Sequence, residues 1–271
     1  MNILVLGSTG MLGSAVGQHF ENTNHITFLT YRNKSVAYGK RQIYFDVDMD
    51  FSILKTHKYD YVINCIGTIK PFMKTNPRAA RFINSVFPWD LSEWCDNEGS
   101  KLIHITTDCV YSGNLAPELA YTESHMHDAL DDYGKSKSLG EPDNCMVIRT
   151  SIIGEEIHKN ASLVEWAKSQ KGKSIKGFTN HYWNGITTKT YADICQQIIE
   201  KNLWKKGLFH VHSPNIVNKL QMVQAFDKKF DLNLDITPFE PPNSCNRALA
   251  SENDLIKKLN ISTVENQIIT M

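Results

Sequence analysis

Four consecutive apolar residues, Ile3-Leu4-Val5-Leu6, run directly into Gly7-Ser8-Thr9-Gly10-Met11-Leu12-Gly13, and the helical pattern Met11–Phe20 begins within that loop. Strand, glycine loop and helix in this order open a βαβ unit, and few folds begin that way. Gly7 permits the tight turn, Gly10 lets backbone approach a pyrophosphate, and Gly13 lets the helix pack closely on the strand. The helix N-terminus then offers free N–H groups and a positive dipole end to the anion. Gly7, Thr9, Gly10, Met11, Leu12 and Gly13 are therefore the expected contacts of a dinucleotide; a glycine turn without a ligand is the bland alternative.

The same rhythm continues through the first 150 residues. Ile26–Thr30, Tyr61–Asn64, Leu102–Thr106 and Met146–Arg149 are short apolar runs, with helical patterns at Pro77–Asn97 and Asp131–Glu141 between them. Apolar runs without alternation indicate strands covered on both faces. The expected fold class is α/β: a doubly wound parallel sheet of the Rossmann kind with a smaller C-terminal substrate-binding domain. Residues 1–152 are expected to hold the cofactor, with elements returning at about 184–212, and 153–271 to be mainly the substrate-binding domain. Beyond Arg149 the pattern predicts a lysine-rich connector (Lys168, Lys171, Lys173, Lys176), where a solvated stretch is the bland reading and a meeting with a substrate diphosphate the sharper one. It then predicts a helix over about 188–202, a strand Leu208–Val211, a helix near Val217–Phe230 and a last helix over about 251–259.

Composition excludes several classes. Lys+Arg and Asp+Glu both number 29, so the formal net charge is zero, which removes the generic electrostatic case for nucleic acid or an anionic membrane surface. No stretch approaches the roughly 20 apolar residues of a membrane span, and Met1–Leu6 lacks the cationic start of a signal peptide. The expected location is the cytoplasm. There, Asn33-Lys34-Ser35, Asn160-Ala161-Ser162 and Asn260-Ile261-Ser262 match the glycosylation pattern by chance. The six cysteines (65, 95, 109, 145, 195, 245) show no C-x-x-C pair and read as reduced thiols, with no disulfide framework and no metal site. His125, His127 and Asp128 read as a solvated loop, and His210 with His212 as a satisfied strand pair.

Tyr133-Gly134-Lys135-Ser136-Lys137 puts Tyr133 and Lys137 on one helical face. Tyrosine, with a pKa near ~10, is a poor acid–base group unaided; a neighbouring ammonium favours the phenolate and lowers that value. Of ten tyrosines, only Tyr133 has lysine four residues on, which strengthens an otherwise weak pattern. Upstream, Ile105-Thr106-Thr107-Asp108 ends a strand, and parallel sheets bind ligands at their carboxyl ends. Thr107 would then hydrogen-bond a substrate carbonyl while Tyr133 delivers the proton and Lys137 also reaches the nicotinamide ribose. The second strand closes on Tyr31-Arg32, where arginine in place of a carboxylate suits a 2′-phosphate, with Lys34 and Ser35 in support. NADPH is the favoured cofactor, with NADH second. The small residues of Asn64-Cys65-Ile66-Gly67 suit close approach to the nicotinamide ribose, and Asn84 reads as buried and structural.

Together, Gly7–Gly13, Asn64–Gly67, Thr106-Thr107-Asp108-Cys109-Val110-Tyr111-Ser112-Gly113, Tyr133 with Lys137, and Arg149-Thr150-Ser151 resemble the dTDP-4-dehydrorhamnose reductase family of extended short-chain dehydrogenase/reductases. The motifs span roughly residues 1–154; Asn184-Gly185-Ile186-Thr187-Thr188 and Arg247-Ala248-Leu249-Ala250-Ser251 fit less specifically. The G-x-x-G-x-x-G spacing is typical of the extended type. This resemblance implies NADPH-dependent reduction at C4 of a nucleotide-linked 4-keto-6-deoxyhexose, for surface polysaccharide precursors. It implies catalytic roles for Thr107, Tyr133 and Lys137. Cofactor contacts would come from Arg32, Asp46 and Val47 at the adenosine end and from Cys65, Ile66, Gly67 and Thr106 at the nicotinamide end. Substrate contacts would come from Lys70, Thr107, Asp108, Cys109, Ile152, Trp183 and Arg247, although Trp183 reads equally well as a packing aromatic. The implied partner is a nucleotide sugar, with a homodimer as a further implication and neither nucleic acid nor membrane.

Two positions depart from the family pattern. Cys109 stands where an aromatic residue is common and Ile152 where tryptophan is common, which leaves the sugar open, a UDP-linked or N-acetylated hexulose included. Cys109 also argues against a dehydratase, which carries an acidic residue there. A 4-epimerase, needing the same Tyr133 and Lys137, is one alternative. Another is a non-catalytic NADP-binding subunit, as in the regulatory subunit of methionine adenosyltransferase.

Overall fold

Strand β1 (Asn2–Leu6) explains its own unbroken apolarity: Ile3 and Val5 pack into one helical layer, Leu4 and Leu6 into the other, and all four are fully buried. The computed structural model describes residues 1–157 and 161–271, so Asn160 lies outside the described residues. Helix α1 (Met11–Glu21) follows, then β2 (Ile26–Tyr31), β3 (Gln42–Tyr44) and β4 (Tyr61–Asn64). Next come α2 (Pro77–Arg81), α3 (Phe87–Glu98), β5 (Lys101–Thr106), α4 (Asp132–Ser138) and β6 (Met146–Arg149). Beyond them lie β7 (Ile152–Ile153), α5 (Leu163–Ser169), β8 (Ser174–Phe178), β9 (His181–Trp183) and β10 (Ile186–Thr187). Helix α6 (Thr188–Glu200) and β11 (Gly207–His210) precede β12 (Val217–Asn218) and α7 (Lys219–Phe230). The chain ends with β13 (Asp235–Phe239), β14 (Cys245–Asn246), α8 (Leu255–Lys258) and α9 (Val264–Ile269).

Seven parallel strands form the main sheet in the order β11-β6-β5-β4-β1-β2-β3. Ile3 pairs with Thr27 on β2 and with Tyr61 on β4, so the winding reverses at β1. A crevice opens there, beyond the carboxyl ends of Leu6 and Asn64, as the reversal of strand order requires. α1 and α6 cover one face, with Val16, Phe20, Ile194 and Ile198 in the same core as Ile3. α3 covers the other, with Leu91 and Trp94 against Leu4 and Val62. α6 and β11 thus return the chain to the main sheet. The remaining elements surround a separate core of Trp183, Met222, Phe226, Val264 and Ile268, beside the crevice. No helix among the described residues is long and apolar enough to cross a membrane.

Several elements differ from the sequence pattern, each for a local reason. The stretch expected as one helix over Pro77–Asn97 is α2, a π-turn at Phe82–Val86, and α3. Pro88 has no N–H for the carbonyl of Asn84, so that turn widens. The helix near Val217 starts at Lys219, because Asn218 caps it through a reciprocal bond with Gln221. The helix expected over about 251–259 is confined to α8, since Ser251 and the backbone of Glu252 bond to the Glu123 carboxylate, and α9 follows its own cap at Thr263. The lysine-rich connector contains α5 and β8, and Lys168 bonds to Glu155 and Glu165. All six cysteines are free thiols.

A Cβ on Gly13 would come within 2.1 Å of the Gly7 carbonyl oxygen, a backbone atom with nowhere to go. Gly13→Ala is therefore expected to lower the unfolding free energy by about 1–3 kcal/mol, read from the denaturant midpoint, and to weaken dinucleotide binding with it.

Candidate active site

A cavity of about 940 Å³ runs across the carboxyl edge of the sheet, at the upper end of the ~300–1,000 Å³ usual for small-molecule sites. Gly7 turns the chain with φ +75° and donates its N–H to the Thr30 hydroxyl at 2.9 Å. A Cβ there would meet Ile66 at 2.9 Å. Gly10 caps α1 with extended backbone and no side-chain hydrogen bond, so the first N–H groups of the helix stay open to an anion. Gly7, Thr9, Gly10, Met11 and Leu12 line the cavity. Gly13 does not; it is the packing glycine between α1 and β1. This bare-backbone cradle with an open helix end fits a dinucleotide pyrophosphate.

Arg32, Asp46 and Val47 line one end of the cavity, where β2 and β3 finish. The Arg32 guanidinium is exposed and lies 3.6 Å from the Asp46 carboxylate. Cys65, Ile66 and Gly67 line the middle. Asn64 shapes that turn, accepting from Ile66 N–H at 3.0 Å and contacting His104 Nδ1 at 3.0 Å. His104 is fully buried, and its other ring nitrogen meets the Gly140 carbonyl at 3.0 Å. Burial, aided by the Lys137 charge, holds its pKa well below the usual value, so the ring is neutral.

Tyr133 and Lys137 both line the cavity from α4, with Thr106, Thr107, Asp108 and Cys109 opposite. Two glycines set how closely this helix approaches. A Cβ on Gly134 would come within 2.1 Å of the Cys109 carbonyl, and one on Gly140 within 1.8 Å of the Asn84 carbonyl. The Asn84 carbonyl is the one released by Pro88. The Asn84 side chain, fully buried, donates to the Thr68 carbonyl at 2.9 Å and to Ser136 Oγ at 3.1 Å, and accepts from Thr68 N–H. It joins the loop after β4 to the middle of α4.

Close approach brings Tyr133 and Thr107 to the same cavity wall. Thr107 donates to Asp108 at 3.1 Å and accepts from Cys109 N–H at 3.2 Å. The acidity of Tyr133 departs from the sequence expectation. Burial, with the neighbouring Cys109 and Asp108, raises its pKa well above that of free tyrosine. Lys137 Nζ donates to the Ile105 carbonyl at 3.0 Å. Burial lowers Lys137 itself to about 8, partly opposed by Glu141.

At the far end Ile152, Trp183 and Arg247 line the cavity. Arg247 donates Nε to the Tyr111 carbonyl and Nη2 to that of Ser112, both at 2.8 Å. Lys70 is not part of the cavity lining; its ammonium lies 2.5 Å from the Asp131 carboxylate, near Cys109. Lys219 and Cys245 face the cavity without having been singled out in the sequence. Neither belongs to a motif; only the fold of the C-terminal segments brings them there.

Behind Thr150 and Ser151 lies a buried cluster. Arg149, with no exposed surface, donates Nε to Glu141 at 3.1 Å and Nη2 to the same carboxylate at 2.6 Å. Its Nη1 donates to the Tyr111 hydroxyl at 2.6 Å and meets His210 Nε2 at 2.8 Å, while Nη2 also meets His127 Nε2 at 2.6 Å. Both imidazoles face a permanent cation and accept from it, so both are neutral. Burial and Arg149 hold His210 down to about 4, and burial lowers His127. The loop expected to be solvated is exposed at His125, His127 and Asp128, and it is also tied in, with Asp128 accepting from Ser112. Glu123 receives His210 N–H, Ser251 and Asn253; burial would raise its pKa, but these bonds take it down to about 2.

A model of the RmlD substrate binding domain matches residues 1–265. Methionine adenosyltransferase 2 subunit beta of Xenopus tropicalis is 25% identical over 244 residues, 84% of this chain and 72% of that protein. The "probable low-salt glycan biosynthesis reductase" of Haloferax volcanii is 26% identical over 233 residues, 80% of this chain and 76% of its own. The crystal structure of the dTDP-4-dehydrorhamnose reductase of Bacillus anthracis in complex with NADP superposes with a TM-score of 0.77 at 17% identity, covering 98% of this chain and 96% of that one. The last likeness is one of fold.

The buried imidazoles give the protein a defined acid sensitivity. His210 titrates near 4 in the folded chain against ~6.5 unfolded, so between these values the unfolded state binds more protons. The stabilisation is complete above about 6.5 and is lost as the pH falls toward about 4. Thermal melts are expected to drop steadily across that window, and His210→Gln to flatten the decline.

Proposed function

The chain belongs to the RmlD substrate binding domain family, and on that premise we propose that it is an NADPH-dependent reductase of the 4-keto group of a nucleotide-linked 6-deoxyhexulose, serving polysaccharide precursor synthesis. One observation carries the reading: Thr107, Tyr133 and Lys137 converge on a single cavity that continues from an uncapped helix end. Residues 1–152 with 184–212 would hold the cofactor, and 153–271 mainly the sugar nucleotide. NADPH, held by the glycine loop and Arg32, would supply the hydride. Thr107 orients the keto oxygen, and Tyr133 gives it a proton as negative charge develops there. The raised pKa of Tyr133 suits this direction, since a donor must begin protonated. Lys137, largely cationic at neutral pH, lies within the same cavity to steady the cofactor ribose and the developing phenolate. Arg32 would receive a 2′-phosphate in exchange for its contact with Asp46.

The relatives named methionine adenosyltransferase 2 subunit beta favour a second reading, a cofactor-binding regulatory subunit without turnover. NADPH oxidation against dTDP-, UDP-, GDP- and CDP-linked 4-keto-6-deoxyhexoses separates the two. Turnover with at least one donor is expected, falling about 10²–10⁴-fold in Tyr133→Phe with NADPH affinity retained. NADPH binding without oxidation of any donor would favour the regulatory reading. Arg32→Ala is expected to weaken NADPH about tenfold and leave NADH unchanged, measured by fluorescence titration.

A further inference from the structure

A second cavity, of about 300 Å³, lies where β4 and β5 begin, at the edge of the sheet opposite the crevice. Parallel pairing sets Tyr61 beside Lys101, and just ahead of them the Ser100 hydroxyl donates to the Tyr59 carbonyl at 2.8 Å. α3 stops at Glu98, since Gly99 takes the left-handed conformation with φ +70°, and it brings Trp94 and Glu98 to the cavity beside Tyr59. Lys55, His57 and Lys58 complete the wall from the segment before β4. None of these residues belongs to a motif or takes part in the reductase reading.

Two buried donors of this wall are not engaged. Tyr59 is 2% exposed and Trp94 8%, yet among the described residues neither the Tyr59 hydroxyl nor the Trp94 indole N–H has a hydrogen-bond partner. A buried donor left unmet costs about 1–3 kcal/mol. An indole N–H can only donate, so whatever meets it must offer an acceptor. The charges point the same way. Glu98 is the carboxylate of the lining, and it is engaged by Lys55 at 2.6 Å. Lys58 makes no ion pair among the described residues. The carboxyl end of α3 offsets about half an elementary charge, which leaves the balance positive. Ammonium, phenol and indole together suit a negative group with several oxygens; a phosphate monoester offers three terminal oxygens and a carboxylate two. The volume, at the lower end of the ~300–1,000 Å³ usual for small-molecule sites, also leaves room for a small organic group. The Trp94 and His57 rings would flank that group. Phe51 stacks on Trp94 with centroids 5.6 Å apart, and Phe28 packs on His57 at 4.3 Å, which holds both rings in place.

We propose that this cavity is a binding site for a small phosphate monoester, with Lys58, the Tyr59 hydroxyl and the Trp94 indole N–H as donors to the phosphate. The site is separate from the cofactor crevice and stands whether or not the chain is a reductase.

Calorimetric titration of the full chain with glycerol 3-phosphate, inorganic phosphate and acetate, each with and without saturating NADPH, tests the assignment. Glycerol 3-phosphate should bind equally well in both conditions, and acetate should not bind. Lys58→Met should weaken the ester about tenfold and Tyr59→Phe about threefold to tenfold, with Trp94→Phe as a further variant that removes only the indole donor and keeps a ring. Melts of the ligand-free chain carry a second readout. Tyr59→Phe deletes a donor without a partner, so the melting temperature should hold or rise, whereas loss of a hydroxyl engaged within the fold would lower it. Binding of inorganic phosphate but not of the ester would overturn the monoester assignment. Displacement of the ester by NADPH would put the anion at the glycine loop instead. Equal affinity in the wild type and all three variants, or no binding of the ester, would overturn the site.

Discussion

Arg149 is a guanidinium with no water contact, and the cleft owes its shape to the way that charge is neutralised. Its fork closes on the Glu141 carboxylate, which lies just past the C-terminal end of α4. Its remaining donors meet Tyr111, from the segment after Thr107, and the imidazoles of His127 and His210. One side chain therefore joins the ends of β6 and β11, the loop leading into α4 and the residue following that helix. Through Tyr111 it also meets the segment whose carbonyls hold Arg247. A buried pair of this kind gives little net stability over an apolar substitute, and breaking it strands a charge. What it provides here is register: each element at the sheet edge is fixed against the same planar group.

That register has a consequence for proton chemistry. Glu141 is paired with Arg149 and acts from there on Lys137, opposing part of the lowering that burial imposes. Lys137 in turn helps to keep His104 neutral. Charge thus links Arg149 and Glu141, behind the cavity, to Lys137 in its wall. Tyr133, packed against Thr107 and raised by burial, stays protonated. The direction of its pKa shift accords with delivering a proton more readily than with removing one.

The legible parts of the chain were those in which neighbouring residues cooperate. The glycine loop, the five apolar runs and the Tyr133–Lys137 pair each state their structure within seven residues, and each stands where the pattern puts it. Illegible parts depend on partners distant in sequence. Nothing local reveals that Pro88 releases a carbonyl that Gly140 must accommodate, or that Ser251 and Glu252 bind Glu123 rather than begin a helix. His127 is exposed as its loop suggests, yet nothing local reveals that Arg149 meets its ring. Tyr133 shows the same limit in energy: spacing puts Lys137 on its face of the helix, yet the Ile105 carbonyl takes the ammonium and burial decides the sign of the shift.

The two ends of the cavity meet negative charge by different means. At the cofactor end the backbone does the work, with an uncapped helix start over a glycine turn and only the exposed Arg32 adding a side-chain cation. Such a cradle is intrinsic to the strand–loop–helix unit and persists in any protein that keeps the fold, whether or not it performs chemistry. At the opposite end α7 is capped, and among the described residues Lys219 and Arg247 bring positive charge to a lining that also holds Glu156. Side chains can be exchanged one at a time, so this end is free to vary with the ligand while the cradle stays fixed. Thr107, Tyr133 and Lys137 lie between the two. A binding subunit has use for both ends; the proposed reduction also uses the Tyr133 hydroxyl between them, on a helix brought close by two glycines.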